Sequence, residues 1–155
     1  MPGPARTEEE QERLNRQMTE LLTELRVAMP GVQVLFAFLL AVPFQQGWQK
    51  VNDTQKYAFF VALFCAALGT ALLIAPTTYH RLRWREHDKE QLLQTSNRLA
   101  LGGTGFLALG MTAAIFLVTD IVFHWTVTLT VTGAIAAAFA WFWYALPLWR
   151  RVQRG

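Results

Sequence analysis

The charged residues of this chain leave four long gaps. No Lys, Arg, Asp or Glu occurs at 27–44, 57–75, 99–118 or 125–149. The hydrocarbon core of a bilayer is about 30 Å thick and is crossed by roughly 20 helical residues, so each gap has the length of a membrane span. A helix of a soluble bundle would instead show polar residues every few positions along its exposed face. The pattern therefore predicts an all-α fold, a polytopic bundle of four transmembrane helices.

The gaps divide the chain into three regions. We expect a cytoplasmic N-terminal segment at 1–26, a transmembrane domain at 27–149 and a cytoplasmic tail at 150–155. Within the domain, the expected spans are 27–44, 57–76, 99–120 and 125–147, each of approximate bounds.

The N-terminal segment has the pattern of an amphipathic cytoplasmic helix. Thr7 and Glu10 have the spacing of a capping box, which predicts that the helix begins there. An apolar stripe then recurs every three or four residues: Leu14, Met18, Leu21 and Leu25. Such a stripe can lie on the membrane surface, pair with a neighbouring subunit or fold under the cytoplasmic ends of the spans. Because acidic residues outnumber basic ones in this segment, we favour packing against protein over binding to anionic lipid.

Two prolines stand at the edges of the predicted spans. Pro30 and Gly31 lie near the start of the first gap, where a missing amide and a loose backbone predict a bend before the chain enters the membrane. Pro76 follows the second gap and is expected to end that span.

Basic residues are concentrated on one predicted side of the membrane. Of the 14 Lys and Arg residues, all but Lys50 and Lys56 lie in the N-terminal segment, in the loop after the second span or in the tail. Four crossings place these three segments together, and the positive-inside rule assigns that side to the cytoplasm. We therefore expect a multi-pass protein of the cell membrane with both termini cytoplasmic. This topology accounts for the formal net charge of +3, so no nucleic-acid partner is implied.

Small residues recur in three of the predicted spans. The second span carries Ala58, Ala62 and Ala66; the third carries Gly102, Gly103, Gly105 and Gly110; the fourth carries Gly133, Ala134, Ala137 and Ala138. Small residues about four apart let helices approach closely in lipid. Because these faces exceed what one small bundle requires, we expect a homo-oligomer.

Asp120 is the acidic residue nearest to a predicted span. An aspartate deep in hydrocarbon costs about 2.5 to 3.5 kcal/mol, so its depth decides its role. If 119–125 forms the outer turn, which we favour, Asp120 is simply solvated. If the third span continues to Phe123, Asp120 and His124 lie four apart on one helix face, which suits proton or cation handling because imidazole exchanges protons near neutral pH. Gln33, about one turn into the first span, can hydrogen-bond across helices, which we favour, or line a polar pathway.

Polar residues also cluster at the predicted cytoplasmic interface: Glu24, Arg26, His80, Arg81 and Arg83. Glu24 and Arg26 are two apart and point to different helix faces, so each is expected to find another partner, or Arg26 to extend into the interface. The cluster that begins at His80 is expected to anchor the topology, with binding of an anionic ligand or lipid headgroup as the alternative.

The sequence contains none of the common catalytic or metal-binding motifs, such as HExxH or CxxC. Of its three histidines, His80 and His87 are seven apart, and His124 is predicted on the opposite side of the membrane. Cys65 is the single cysteine and is expected to be a small packing residue. We therefore expect no enzyme activity, no catalytic residue, no metal site and no cofactor.

Three runs carry a family resemblance: 24–35 (ELRVAMPGVQVL), 43–44 (PF) and 75–81 (APTTYHR). They resemble a family of small bacterial four-span membrane proteins of unassigned function, and the likeness covers the chain from about Leu14 onward. Some sequences of this kind are labelled sodium/proton antiporters, although the resemblance implies no established mechanism. It implies a location in a bacterial inner membrane.

Two functions from different classes fit these features. The first is a homo-oligomeric ion channel or ion-handling membrane protein for a monovalent cation or proton, in which a pore between subunits needs no charge buried within one span. The second is a non-transporting membrane scaffold or partner-binding subunit, whose N-terminal stripe recruits another protein. In both, the lipid bilayer is the surrounding partner.

Overall fold

The computed structural model of the protein describes residues 4–82, 89–146 and 149. Its helices are α1 (Pro4–Ala41), α2 (Asp53–Leu82), α3 (Lys89–Val122) and α4 (Trp125–Phe139). The last helix continues as a π-helical segment, Ala140–Ala145. Two short 3₁₀ turns, Val42–Phe44 and Trp48–Lys50, connect α1 to α2.

Four helical segments are long and apolar enough to cross a membrane: Glu12–Phe44, Asp53–Thr78, Leu93–Val122 and Trp125–Ala145. The described residues contain no β-strand. The predicted all-α fold with four helices of spanning length is therefore confirmed. Length and apolar composition together make this a multi-pass membrane protein.

The helices run through both prolines. α1 is continuous across Pro30 and Gly31, so the amphipathic N-terminal segment and the first span form one helix of 38 residues. α2 continues past Pro76 to Leu82, which corrects the expectation that this proline ends the second span. A proline removes one backbone hydrogen bond, and an apolar helix packed against neighbours accommodates that loss without ending. α1 is already helical at Pro4, upstream of the start predicted at Thr7.

α2 and α3 form the closest helix pair. Ala62 and Ala66 are fully buried, and a Cβ built on Gly110 would lie 3.2 Å from the carbonyl oxygen of Ala62. A Cβ built on Gly103 would lie 2.9 Å from Cγ of Leu73. Small residues on both helices therefore bring the two backbones together, as their spacing predicts for these two spans.

α1 packs against this pair with buried apolar residues seven apart: Met18, Leu25, Val32 and Leu39. Leu25 and Val32 lie in one cluster with Leu73 of α2 and Leu107 of α3, and Leu21 packs against it. The predicted N-terminal stripe thus continues into the span. Its members Leu21 and Leu25 pack against helices of the same chain, in agreement with the favoured packing against protein.

α4 packs against α3 and, among the described residues, not against α1 or α2. Its small residues Gly133, Ala134 and Ala137 are exposed, and a Cβ built on Gly133 would meet nothing within 4 Å. A groove of about 280 Å³ lies between α1 and α3 and is lined by Leu35, Met111, Ala114, Ile115, Val118 and Thr119. The four helices therefore form an open arrangement in which α1 and α4 each keep an unpartnered face.

Candidate functional site

A polar cluster lies where α2 begins and α3 ends. We call this end of the bundle the turn end. It also carries the 42–52 connection and the turn before α4. Next to the cluster, the Trp48 ring packs edge-on against Phe59 with 4.8 Å between centroids, which ties the connection to α2.

Asn52 and Gln55 form the cap of α2. The Asn52 Oδ1 accepts a hydrogen bond of 2.9 Å from the Gln55 backbone N–H, and the Asn52 backbone N–H donates to the Gln55 Oε1 at 3.1 Å. This reciprocal pair is a capping box, which satisfies amides that have no partner within the helix. The cap also fixes the Gln55 side chain, and the residue is 8% exposed.

Gln55 connects this cap to Asp120. The Gln55 Nε2 donates a hydrogen bond of 2.8 Å to the Asp120 Oδ2. Asp120 lies within α3, in its last turn rather than in the following connection, and is half-buried. The buried amide of one helix therefore holds the carboxylate of another at the end of a span.

The Gln55 amide that bonds Asp120 carries no charge, so it does not form an ion pair with the carboxylate. Within the described part of the chain, the ion pairs are Arg16 with Glu20 and Lys56 with Asp53. The Lys56 Nζ lies 3.1 Å from the Asp53 Oδ1, so the nearest lysine in sequence to Gln55 is engaged by another acid. Among the described residues, Asp120 is therefore bonded to a neutral amide and has no ion-pair partner.

His124 is not on the same helix as Asp120. α3 ends at Val122, and His124 is the extended residue that precedes α4, with φ −76° and ψ 155°. Its side chain is exposed, and its backbone carbonyl accepts hydrogen bonds from the start of α4. The structure therefore does not form the helix-face pair of Asp120 and His124, because the chain turns between them.

Gln33 lies away from this cluster. It is exposed on α1, while its neighbour Val32 is buried against α2 and α3. Its amide makes no hydrogen bond to any other described residue. Within the described part of the chain, Gln33 therefore does not join two helices.

The predicted cytoplasmic cluster is spread over two helices. Glu24 and Arg26 are exposed on α1, and neither forms an ion pair within the described residues. His80 and Arg81 belong to α2, and Arg83 lies outside the described residues.

A second polar contact holds α4 to α3 at the other end of the bundle. The Tyr144 hydroxyl donates to the Leu101 carbonyl at 3.1 Å and lies 3.2 Å from the Thr104 Oγ1. Gly105 leaves room for it, since a Cβ there would lie 3.0 Å from the hydroxyl oxygen. Tyr144 belongs to the π-helical segment, whose wider turn sets its direction. This contact is a structural clamp.

The sequence pattern does not single out Asn52 or Gln55, which lie between the first two predicted spans. The Asn-x-x-Gln spacing at 52–55 could have identified the cap, because an amide side chain three residues after an N-cap can close a capping box. No local pattern indicates the contact of Gln55 with Asp120, which are 65 residues apart.

Among residues 4–82, 89–146 and 149, no three histidine, cysteine or acidic side chains lie close enough together to hold a metal ion. The fold and the turn-end cluster define an all-helical, multi-pass membrane protein with one half-buried carboxylate where a span ends. Residues 7–147 match a family of unknown function, DUF6328, and the chain belongs to that family. No curated protein and no solved structure matches the chain.

Proposed function

We propose that the protein is a homo-oligomeric, ion-handling membrane protein in which Asp120 is the ionisable group. The observation that carries the proposal is the 2.8 Å hydrogen bond from the buried Gln55 amide to Asp120. It positions the acid without supplying a counter-charge.

A purely structural contact between α2 and α3 would not require an ionised side chain. A charge at a span is costly and is usually retained for a role in ion or proton movement. Lys56 follows Gln55 in the sequence, but its ammonium group pairs with the exposed Asp53 carboxylate. This arrangement favours a role in which the Asp120 carboxylate binds a cation or a proton from the solution and releases it again.

An ion path is best placed between copies of the chain. The groove between α1 and α3 is lined almost wholly by apolar side chains, and α2 and α3 approach too closely to leave a path between them. Exposed small faces on α4 offer a surface for self-association.

Sodium ions and protons are the first species to test. Carboxylate groups in general can bind either species, and some sequences that this chain resembles are labelled sodium/proton antiporters. The concentration of basic residues supports an orientation with both termini in the cytoplasm of a bacterial cell and the turn end outside.

Burial within the N-terminal stripe favours ion handling over the scaffold alternative. Met18 and Leu25 of the N-terminal stripe are each 7% exposed, and Leu25 packs against α2 and α3. A stripe that is covered by the chain's own helices is not free to recruit another protein.

The test is ion flux in proteoliposomes that carry the purified protein, with sodium-sensitive and pH-sensitive dyes inside. Asp120→Asn keeps an oxygen that accepts the Gln55 hydrogen bond but removes the charge. We expect this variant to fold normally and its flux to fall towards the rate of empty vesicles.

Glu24→Gln is the matched control, because Glu24 is an exposed acid away from the turn end and forms no ion pair among the described residues. Its flux should stay at the wild-type rate. The proposal fails if wild-type protein moves neither ion above empty vesicles, or if folded Asp120→Asn protein moves ions as fast as wild type.

A further inference from the structure

The groove between α1 and α3 has no free polar side-chain group in its lining. Five of its six side chains belong to Leu, Met, Ala, Ile and Val. The sixth, Thr119, uses its hydroxyl within its own helix, where it donates to the Ile115 carbonyl at 2.7 Å and lies 3.1 Å from the Phe116 carbonyl oxygen. An apolar cavity of about 150 Å³ stays dry and takes up hydrocarbon instead of water. The groove, at about 280 Å³, therefore suits an apolar occupant.

The groove follows α3 within a segment of spanning length. Its lining on α3 runs from Met111 to Thr119, a rise of about 12 Å, and Leu35 of α1 forms the other wall. Both walls belong to helical segments that are long and apolar enough to cross a membrane. Val118 is 59% exposed, so the groove is open on the outside of the bundle. In a bilayer, the groove therefore opens to hydrocarbon.

The size of the groove excludes a helix as its occupant. A helix with its side chains is about 10 to 12 Å across, so 12 Å of helix fills roughly 1000 Å³. This volume is more than three times that of the groove. The bulky side chains of Leu35, Met111 and Ile115 also keep a second helix backbone away, since close approach in lipid requires small residues. A single extended hydrocarbon chain is thin enough to enter.

The depth of the groove indicates one leaflet of the bilayer. Thr119 lies three residues before α3 ends at Val122, and Met111 lies eleven residues before it. These offsets are about 5 Å and 17 Å along the helix, and half of a hydrocarbon core of about 30 Å is about 15 Å. The groove therefore occupies the half of the bilayer that is nearest to the turn end.

We infer that the groove binds one acyl chain of a phospholipid from the leaflet at the turn end, with the methyl end of the chain near Met111. The chain lies along the spans and fills the space that α1 and α3 leave between them, which adds dispersion contacts to both helices. It also keeps the groove filled with hydrocarbon and thus closed to ions. The inference stands on the fold and the membrane and does not depend on ion movement.

Photolabelling tests this contact in vesicles of bacterial phospholipid that contain the purified protein. A trace phospholipid carries a diazirine at the middle of one acyl chain, light converts it to a carbene that inserts into nearby C–H bonds, and mass spectrometry maps the labelled residues. Phe60 and Phe64 of α2 are 62% and 64% exposed, so lipid that exchanges rapidly would label them more than the half-buried Met111 and Ile115. We expect the reverse order.

Labelling of Met111 and Ile115 at or below the level of the two phenylalanines overturns the inference. That result would mean that the groove holds no lipid chain, or that side chains of a neighbouring copy cover it.

Ala114→Phe places a side chain of the protein itself in the groove. Because Ala114 is part of the lining, the phenyl ring should displace the acyl chain, and labelling of Met111 and Ile115 should be lost. Ala67→Phe is the matched control, since it adds the same side chain at an exposed alanine of α2 and should leave the labelling unchanged. Melting temperatures in detergent establish which variants fold.

Val118→Phe is the second filling variant. Val118 is exposed at the open side of the groove, so this change does not disturb packed helices if Ala114→Phe fails to fold. A folded filling variant that is labelled in the groove as strongly as wild type overturns the inference.

The position of the diazirine tests the leaflet. A diazirine near the ester end of the chain should label Val118 and Thr119, whereas one near the methyl end should label Met111. The opposite order would mean that the chain enters from the other leaflet, and the assignment to the turn end would be rejected.

Discussion

Gln55 uses both ends of its side-chain amide at the turn end. Its oxygen accepts from the Asn52 backbone N–H, and its nitrogen donates to Asp120. The first bond stabilises the start of α2, and the second joins that start to the end of α3. Gln55 therefore couples the cap of α2 to the position of the Asp120 carboxylate. A substitution that keeps the cap but changes the contact with Asp120 can separate these two roles.

Gln55→Glu keeps the acceptor for the cap but places a second carboxylate beside Asp120. Two carboxylates at hydrogen-bond distance cannot both ionise without strong repulsion. At low pH one carboxyl keeps its proton and donates it to the other, so the pair is stable. As the pH rises and the second carboxyl ionises, that stability is lost.

The expected result is a variant whose melting temperature in detergent is near wild type at acidic pH and falls below it at neutral pH. Gln49→Glu, which adds a charge at an exposed position of the same connection, should follow the wild-type curve at both pH values. A Gln55→Glu variant with wild-type stability at neutral pH would show that the two side chains do not meet.

At the scale of elements, the helices use their small residues in two ways. On α2 and α3 these residues are buried and bring the backbones together, whereas those on α4 are exposed. The sequence pattern is the same in both cases, so spacing predicts a close-packing face but not its partner. Whether the small residues are buried depends on the position of the helix. In the described part of the chain, α4 contacts α3 but neither α1 nor α2.

Gly103→Ala and Gly133→Ala separate these two uses. The added methyl at Gly103 would lie 2.9 Å from Cγ of Leu73, a side chain that is 1% exposed and has little room to move. Overpacking of this kind costs about 1 to 3 kcal/mol. The same change at Gly133 meets nothing within 4 Å.

Thermal or denaturant unfolding in detergent micelles, at dilutions where the protein is monomeric, measures both costs. We expect Gly103→Ala to be destabilised and Gly133→Ala to unfold like wild type or slightly later, since alanine favours the helix. Equal destabilisation of the two variants would contradict the packing described for α2 and α3.

At the scale of the whole molecule, the distribution of charge predicts the number of spans because a charge in hydrocarbon is expensive. The gaps between charged residues therefore indicate four helices without knowledge of their contacts. The sequence does not reveal that Gln55 meets Asp120, since this contact depends on how α2 and α3 align. The continuity of α2 through Pro76 also depends on context, because the neighbouring helices compensate for the missing amide.

The same charge distribution predicts the orientation of the protein in the membrane. Labelling of single cysteines, introduced after Cys65 has been replaced by alanine, can test this orientation. Gln49→Cys lies in the connection at the turn end, and Glu12→Cys lies near the start of α1. A membrane-impermeant maleimide added to intact bacterial spheroplasts should label Gln49→Cys at once and Glu12→Cys only after permeabilisation. The reversed pattern would place the termini outside and reject the assignment.

The unbroken helix α1 has a mechanical consequence. Its 38 residues make a rod of roughly 57 Å, almost twice the thickness of a bilayer core of about 30 Å. A continuous helix transmits a displacement of one end towards the other, so a sideways push on its N-terminal end strains the contacts that α1 makes with α2 and α3. Its least stiff point is Pro30, where one backbone hydrogen bond is missing, and that point lies one turn from Gln33. A sideways force on the N-terminal part of α1 can thus reach the groove that α1 forms with α3.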